Sequence, residues 1–149
     1  MDKAALVERD IDDGRRLVQA LDQADFPVIA AVWRFLLEEG AWRLLIASPR
    51  VAERGPRAAY AAIRDVLLKS QISLPLDRIS AVNPDEPFVT ELRIFAGTDP
   101  APFAGTTYLQ SALIGDIYVE GAYVYRAERI IGKTGTFELW AVTPDRSRK

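Results

Sequence analysis

Residues 26–48, FPVIAAVWRFLLEEGAWRLLIAS, contain two strand-like runs, Phe26 to Leu37 and Ala41 to Ser48, either side of Glu38-Glu39-Gly40. Apolar runs of this kind around a glycine turn predict a β-hairpin. With a two-residue turn at Glu39-Gly40, Glu38 pairs with Ala41. Leu37 then faces Trp42, Phe35 faces Leu44 and Trp33 faces Ile46. All six are apolar and share one face, because side chains alternate along a strand. A slip of one residue would scatter them over both faces, so the pattern specifies which face is core. The other face carries Val32, Arg34, Leu36, Arg43, Leu45 and Ala47. It is mixed in character, and the helix preceding the hairpin is expected to cover part of it.

That helix is expected over Ala4 to Gln23. Val7, Ile11, Gly14, Val18 and Leu21 recur at alternating steps of four and three, and Leu17 widens the stripe. Gly14 lies on the stripe, where its missing side chain would admit a neighbouring backbone. After the hairpin, a loop from Ser48 to Gly55 leads into a second helix. Gly55-Pro56 marks its start, and Ala59, Tyr60, Ile63, Val66 and Leu67 repeat at helical spacing to about Ser70. Ile79 to Val82 reads as a short strand. A third helix is expected from Glu86 to Ala96, with Asp85 as its cap, Pro87 in the first turn and Gly97 as its stop. A strand with Phe88, Thr90, Leu92 and Ile94 on one side is the alternative for this segment.

Beyond a Gly/Pro loop, Gly97 to Gly105, the remainder reads as strands: Thr107 to Ile114, Ile117 to Val119, Ala122 to Ala127, and Phe137 to Val142. Thr143 to Lys149 is a polar tail, expected to fray. The order α-β-β-α-β-α-β-β-β predicts a single α+β domain over residues 1–149. Its sheet is antiparallel-dominated, with helices packed on one face.

Composition narrows the function. The chain has 149 residues, 49% hydrophobic and 27% charged, with a net charge of −2, which suits one globular domain. Acids and bases are interspersed, so no broad basic surface points to nucleic acid. The longest apolar run, Phe26 to Leu37, is broken by Arg34 and is far shorter than the roughly 20 residues needed to cross a bilayer. No membrane association and a cytoplasmic location are expected. There is no cysteine and no histidine. Disulfides, thiolate nucleophiles, thiolate zinc sites, Ser-His-Asp triads and histidine-ligated metals are therefore excluded. No cofactor is expected. Hard-metal carboxylate chemistry, paired-carboxylate acid/base work or a Lys, Tyr or Arg mechanism survives.

Several motifs invite chemistry. Ala127 to Thr134, AERIIGKT, satisfies a loose phosphate-binding loop with alanine for the first glycine. Its bulky interior and the strand that follows favour a hairpin turn instead. Pro84-Asp85 with Glu91-Leu92-Arg93 resembles the Pro-Asp…Glu-x-Lys arrangement of metal-dependent nucleases. The spacing is short, however, and arginine is a poor general base. Asp12-Asp13, Glu38-Glu39 and Asp85-Glu86 are adjacent carboxylates, which on a helix point about 100° apart and so make no paired site.

The loop SPRVAERGPR, residues 48–57, brings Arg50, Arg54 and Arg57 near a helix start, where free N–H groups favour anions. These three are the candidate anion or ligand site. Trp33 and Trp42 belong to the predicted core face, whereas Tyr123 and Tyr125, alternating with Val124, form a candidate protein interface. The helix-then-hairpin layout is similar to that of several small sensory modules, GAF-like ones included, a likeness of layout alone. Three functional classes remain open. The first is a non-catalytic protein-interaction module, self-associating or a subunit of a bacterial complex. The second is a sensor or carrier of a small anionic ligand. The third is a divalent-metal enzyme, which requires at least two of Asp85, Glu86, Glu91 and Asp116 to converge.

Overall fold

The computed structural model describes residues 6–98, 107–130 and 137–144. In chain order the elements are α1 (Glu8–Gln23), β1 (Ala30–Leu36), β2 (Ala41–Ala47), α2 (Arg50–Arg54), α3 (Pro56–Lys69), β3 (Ile79–Val82), α4 (Pro87–Ala96), β4 (Thr107–Ile114), β5 (Ile117–Ala127) and β6 (Phe137–Pro144). The six strands form one sheet in the order β3-β2-β1-β5-β4-β6. All neighbours run antiparallel except β2 and β3, which are parallel. Parallel neighbours need a long crossover, and α2 and α3 supply it. The class and strand-helix order are those the sequence predicts, with a short helix, α2, inside the expected Ser48–Gly55 loop.

The hairpin forms with its faces as expected but in a different register. Phe35 pairs with Trp42, Trp33 with Leu44 and Ala31 with Ile46, a shift of two residues that keeps the paired side chains on their predicted faces but takes Leu37 out of the strand. Four residues, 37–40, make the turn. Gly40 donates its N–H to the Leu36 carbonyl at 2.8 Å and sits at φ +62°. A two-residue turn of the tightest type would need positive φ at Glu39 as well, which costs a residue with a Cβ. The longer turn confines positive φ to the glycine and pushes Leu37 into solvent.

Each face of the sheet has its own cover. α1 and α3 share the face of Trp33, Trp42, Leu44 and Ile46, and Leu17, Leu21 and Ile63 fill the space between. Trp33 and Trp42 are core residues, as predicted. Val32, Leu45 and Ala47 point the other way and are covered by Phe88, Val89, Leu92 and Phe95 of α4, not by the first helix. The helix reading of residues 86–96 is the one observed. Its cap is Glu86, whose Oε1 accepts the Val89 N–H at 2.9 Å, and Asp85 does not serve. β5 runs unbroken through Gly121, and β6 continues into Thr143 and Pro144, which pair with Tyr108 and Thr107. The rest of the expected tail, 145–149, lies outside the described residues, as do residues 1–5; α1 begins at Glu8, with Leu6 and Val7 outside the helix.

Gly14 marks where α1 meets the sheet. A Cβ there would stand 2.4 Å from Tyr125 Oη and 2.8 Å from Trp33 Nε1, so aromatic side chains, not a backbone, fill the space. Trp33 Nε1–H donates to Tyr125 Oη at 3.0 Å, and the Tyr125 hydroxyl donates to the Ile11 carbonyl. Burial pushes the Tyr125 phenol well above its ordinary value of 10.0, and the Trp33 hydrogen bond opposes that rise. Burial also raises Tyr108.

Below about pH 10 these phenols are protonated in both folded and unfolded chains, so their stabilising effect is complete. As pH rises further the unfolded chain releases its protons first and stability falls, by up to about 1.4 kcal/mol per pH unit for each tyrosine. Urea unfolding between about pH 9 and about pH 11 is expected to show this decline, and Tyr125→Phe to flatten it in part. An unchanged slope in that variant would mean that Tyr125 ionises as freely in the fold as outside it.

Candidate functional site

The strand β2 delivers the chain to Ser48, a fully buried residue whose Oγ accepts the Arg50 N–H at 3.1 Å. Val51 is buried and pins α2 against the core. Gly55, at φ +90°, ends α2 and redirects the chain into α3, with Pro56 in the first turn. That change of direction divides the arginines expected to act together.

Arg50 and Arg54 remain on one side. They line a cleft of about 310 Å3 between the α1–β1 connection, α2 and α3. Phe26, Ala59 and Val66 give it an apolar floor, and Asp25, Asp65 and Lys69 complete its charged rim. Arg50 is held in place: one Nη meets Glu53 at 3.2 Å and the other donates to the Asp25 carbonyl at 3.2 Å. Asp25 itself stands at φ +60°, a conformation Asp tolerates better than most residues. The side chains of Arg54 and Lys69 make no hydrogen bond or ion pair among the described residues, so both are available to a ligand. Arg57 lies on the opposite flank of α3, where it lines a separate groove with Tyr60, Ala61, Arg64 and Leu76.

Comparison of the chain with family models, curated proteins and solved structures found no match. The cleft is therefore judged by its own geometry.

In the sequence Asp65 and Lys69 stand out only as polar positions off the apolar stripe of the helix, although Ala58, Ala62, Asp65 and Lys69 follow helical spacing along one flank of α3. Asp25 and Phe26 reach the cleft only through tertiary packing, which no local pattern displays.

The other predicted candidates fare differently. Tyr123 and Tyr125 do not form an exposed interface. Tyr123 is buried, its ring edge-on to Tyr125 at 5.3 Å, and Tyr125 is bonded beneath α1. Their alternation does mark one face, and that face is the one α1 covers. Of the acidic residues, Glu86 caps α4, and the Glu91 carboxylate lies against Gly115, the residue before Asp116. Among the described residues no group of three or more acidic side chains is placed to hold a metal ion. In the loose phosphate-loop motif, Ala127 ends β5. Glu128 N–H donates to Ile29 O at 2.9 Å and Ile130 N–H to Arg93 O at 3.1 Å, so this part is tied to its neighbours. The rest of the motif, from residue 131, lies outside the described residues. No helix among the described residues is long and apolar enough to cross a membrane.

Arg34 stacks over the Phe88 ring at 4.2 Å, and its buried Nε has no hydrogen-bond partner. Burial lowers its pKa, against the raising influence of Glu86 and Glu38. With those carboxylates nearby, and Glu39 at 3.7 Å from the adjacent Arg43, this corner already holds its counter-charge.

Proposed function

We propose that this chain is a non-catalytic binding module that holds a small ligand by its carboxylate or phosphate in the cleft between α2 and α3. The observation that carries the reading is the convergence of Arg50, Arg54 and Lys69 around one apolar-floored cleft. A guanidinium presents a planar fork to an oxyanion, and charge-assisted hydrogen bonds are about twice as strong as neutral ones. Arg50 is positioned in advance by Glu53 and the Asp25 carbonyl, which lowers the ordering cost of binding. Asp25 and Asp65 offset part of the positive charge. That balance suits a ligand with an amine or another donor beside its anionic group.

Native mass spectrometry of gently purified protein is the direct test. The wild-type chain is expected to carry an extra mass of a few hundred daltons. The R50A/R54A variant is expected to lose it while keeping the wild-type circular dichroism spectrum. Bare wild-type chains, or an adduct indifferent to both substitutions, would sink the reading.

A further inference from the structure

We propose that the other flank of α3, centred on Arg57, Tyr60 and Arg64, is a docking surface for an acidic segment of a partner protein. Charge is the first argument. Between Arg50 and Lys69 the chain has five cations and two carboxylates, a net +3 within a chain whose total is −2. The partnering of the arginines is the second. On α1, Arg9 and Arg16 pair with Asp13, and Arg15 pairs with Asp12. Arg57 and Arg64 are exposed, and among the described residues neither side chain makes a hydrogen bond or ion pair. The groove they line, about 270 Å3, has no carboxylate in its wall among the described residues.

Shape and spacing indicate what would fit. Tyr60 stands between the two arginines, and its ring is fixed because its hydroxyl accepts the Ala81 N–H at 3.0 Å. Leu76 forms part of the wall, and Leu68, one turn beyond Arg64, is 70% exposed. The surface therefore alternates cation, aromatic ring, cation and leucine. Arg57 and Arg64 are seven residues apart, about 10.5 Å along a helix axis. A polyproline-II segment turns once every three residues and rises about 3.1 Å per residue, so residues i and i+3 share one face roughly 9.3 Å apart. A partner segment with two carboxylates flanking two apolar residues matches both the charge and the apolar elements of this flank. The bond formed is electrostatic and partly exposed, so its affinity must fall with salt.

Fluorescence anisotropy with a labelled peptide of repeated Glu-Leu-Leu-Glu blocks tests the proposal. Saturable binding at low salt is expected, weakened at least tenfold in R57E/R64E and less in R57K/R64K. The R50A/R54A variant should bind the peptide as wild type does, which separates this surface from the cleft. Both arginines are exposed, and circular dichroism checks that each variant is folded. The proposal is overturned by wild-type protein that ignores the peptide, or by R57E/R64E that binds it undiminished. Tighter binding of phosphatidylserine vesicles or single-stranded RNA than of the peptide would equally overturn it.

Discussion

Trp33→Ala should unfold with about 4 kcal/mol less free energy than the wild-type chain, within the usual range for emptying a buried aromatic site. Trp33 is completely buried, at the point where α1 crosses the sheet. Its indole joins three elements at once. The ring packs in the main core, Nε1 donates to Tyr125, and the Arg78 guanidinium lies 4.8 Å over the ring. Arg78 in turn grips Asp10 of α1 through two hydrogen bonds, of 2.9 and 3.3 Å. Alanine would remove all of this and leave a void that Gly14, opposite, cannot help to fill. A loss of that size is a large fraction of the 5–15 kcal/mol, or about that, available to a domain. Urea unfolding with an unchanged m-value is the measurement. A loss below about 2 kcal/mol would mean that the site collapses around the alanine and that α1 is held chiefly by other contacts.

The same residue shows what a sequence can and cannot display. Trp33 was recognisable as core because alternation along a strand has a period of two, and a face once assigned does not depend on the exact partner. Register does depend on the turn. The difference between a two-residue and a four-residue turn lies in whether Glu39 accepts positive φ, a local energy that periodicity does not encode. Gly14 was visible as an anomaly on an apolar stripe, yet its neighbours, Trp33 and Tyr125, come from far along the chain. The pairing of β3 with β2 is likewise non-local, as is the choice of α4 over α1 to cover Val32 and Leu45.

At the candidate site the residue types were legible and their grouping was not. Arg50, Arg54 and Arg57 are close in sequence, but one glycine at φ +90° sends Arg57 to the opposite flank of α3. Tyr123 and Tyr125 illustrate the converse. Their alternation defines a face, but whether solvent or α1 meets that face depends on where the helix packs.

Gly97→Ala carries the second large expectation, a loss of about 2–3 kcal/mol, and here the sign itself is informative. Gly97 ends α4 at φ −91°, a conformation alanine adopts without strain. On backbone grounds alone the substitution should stabilise the chain by about 0.4–1 kcal/mol, since it restricts the unfolded state. The fold reverses that expectation. A Cβ at this position would stand 2.3 Å from the Ile130 carbonyl oxygen and 3.0 Å from its carbon, and backbone cannot rotate away as a side-chain tip can. The two segments are also fastened together. Ile130 N–H donates to Arg93 O at 3.1 Å, and Arg93 Nε donates to Glu128 O at 2.9 Å. Relieving the clash means separating the last turn of α4 from residues 128–130 and weakening both bonds. Urea unfolding gives the size of the loss, and hydrogen exchange at the Ile130 amide locates it. A stabilised variant with unaltered protection at Ile130 would mean that α4 closes on this segment only loosely. Glycine would then serve here as an ordinary helix terminator, not as the space that lets helix and strand end meet.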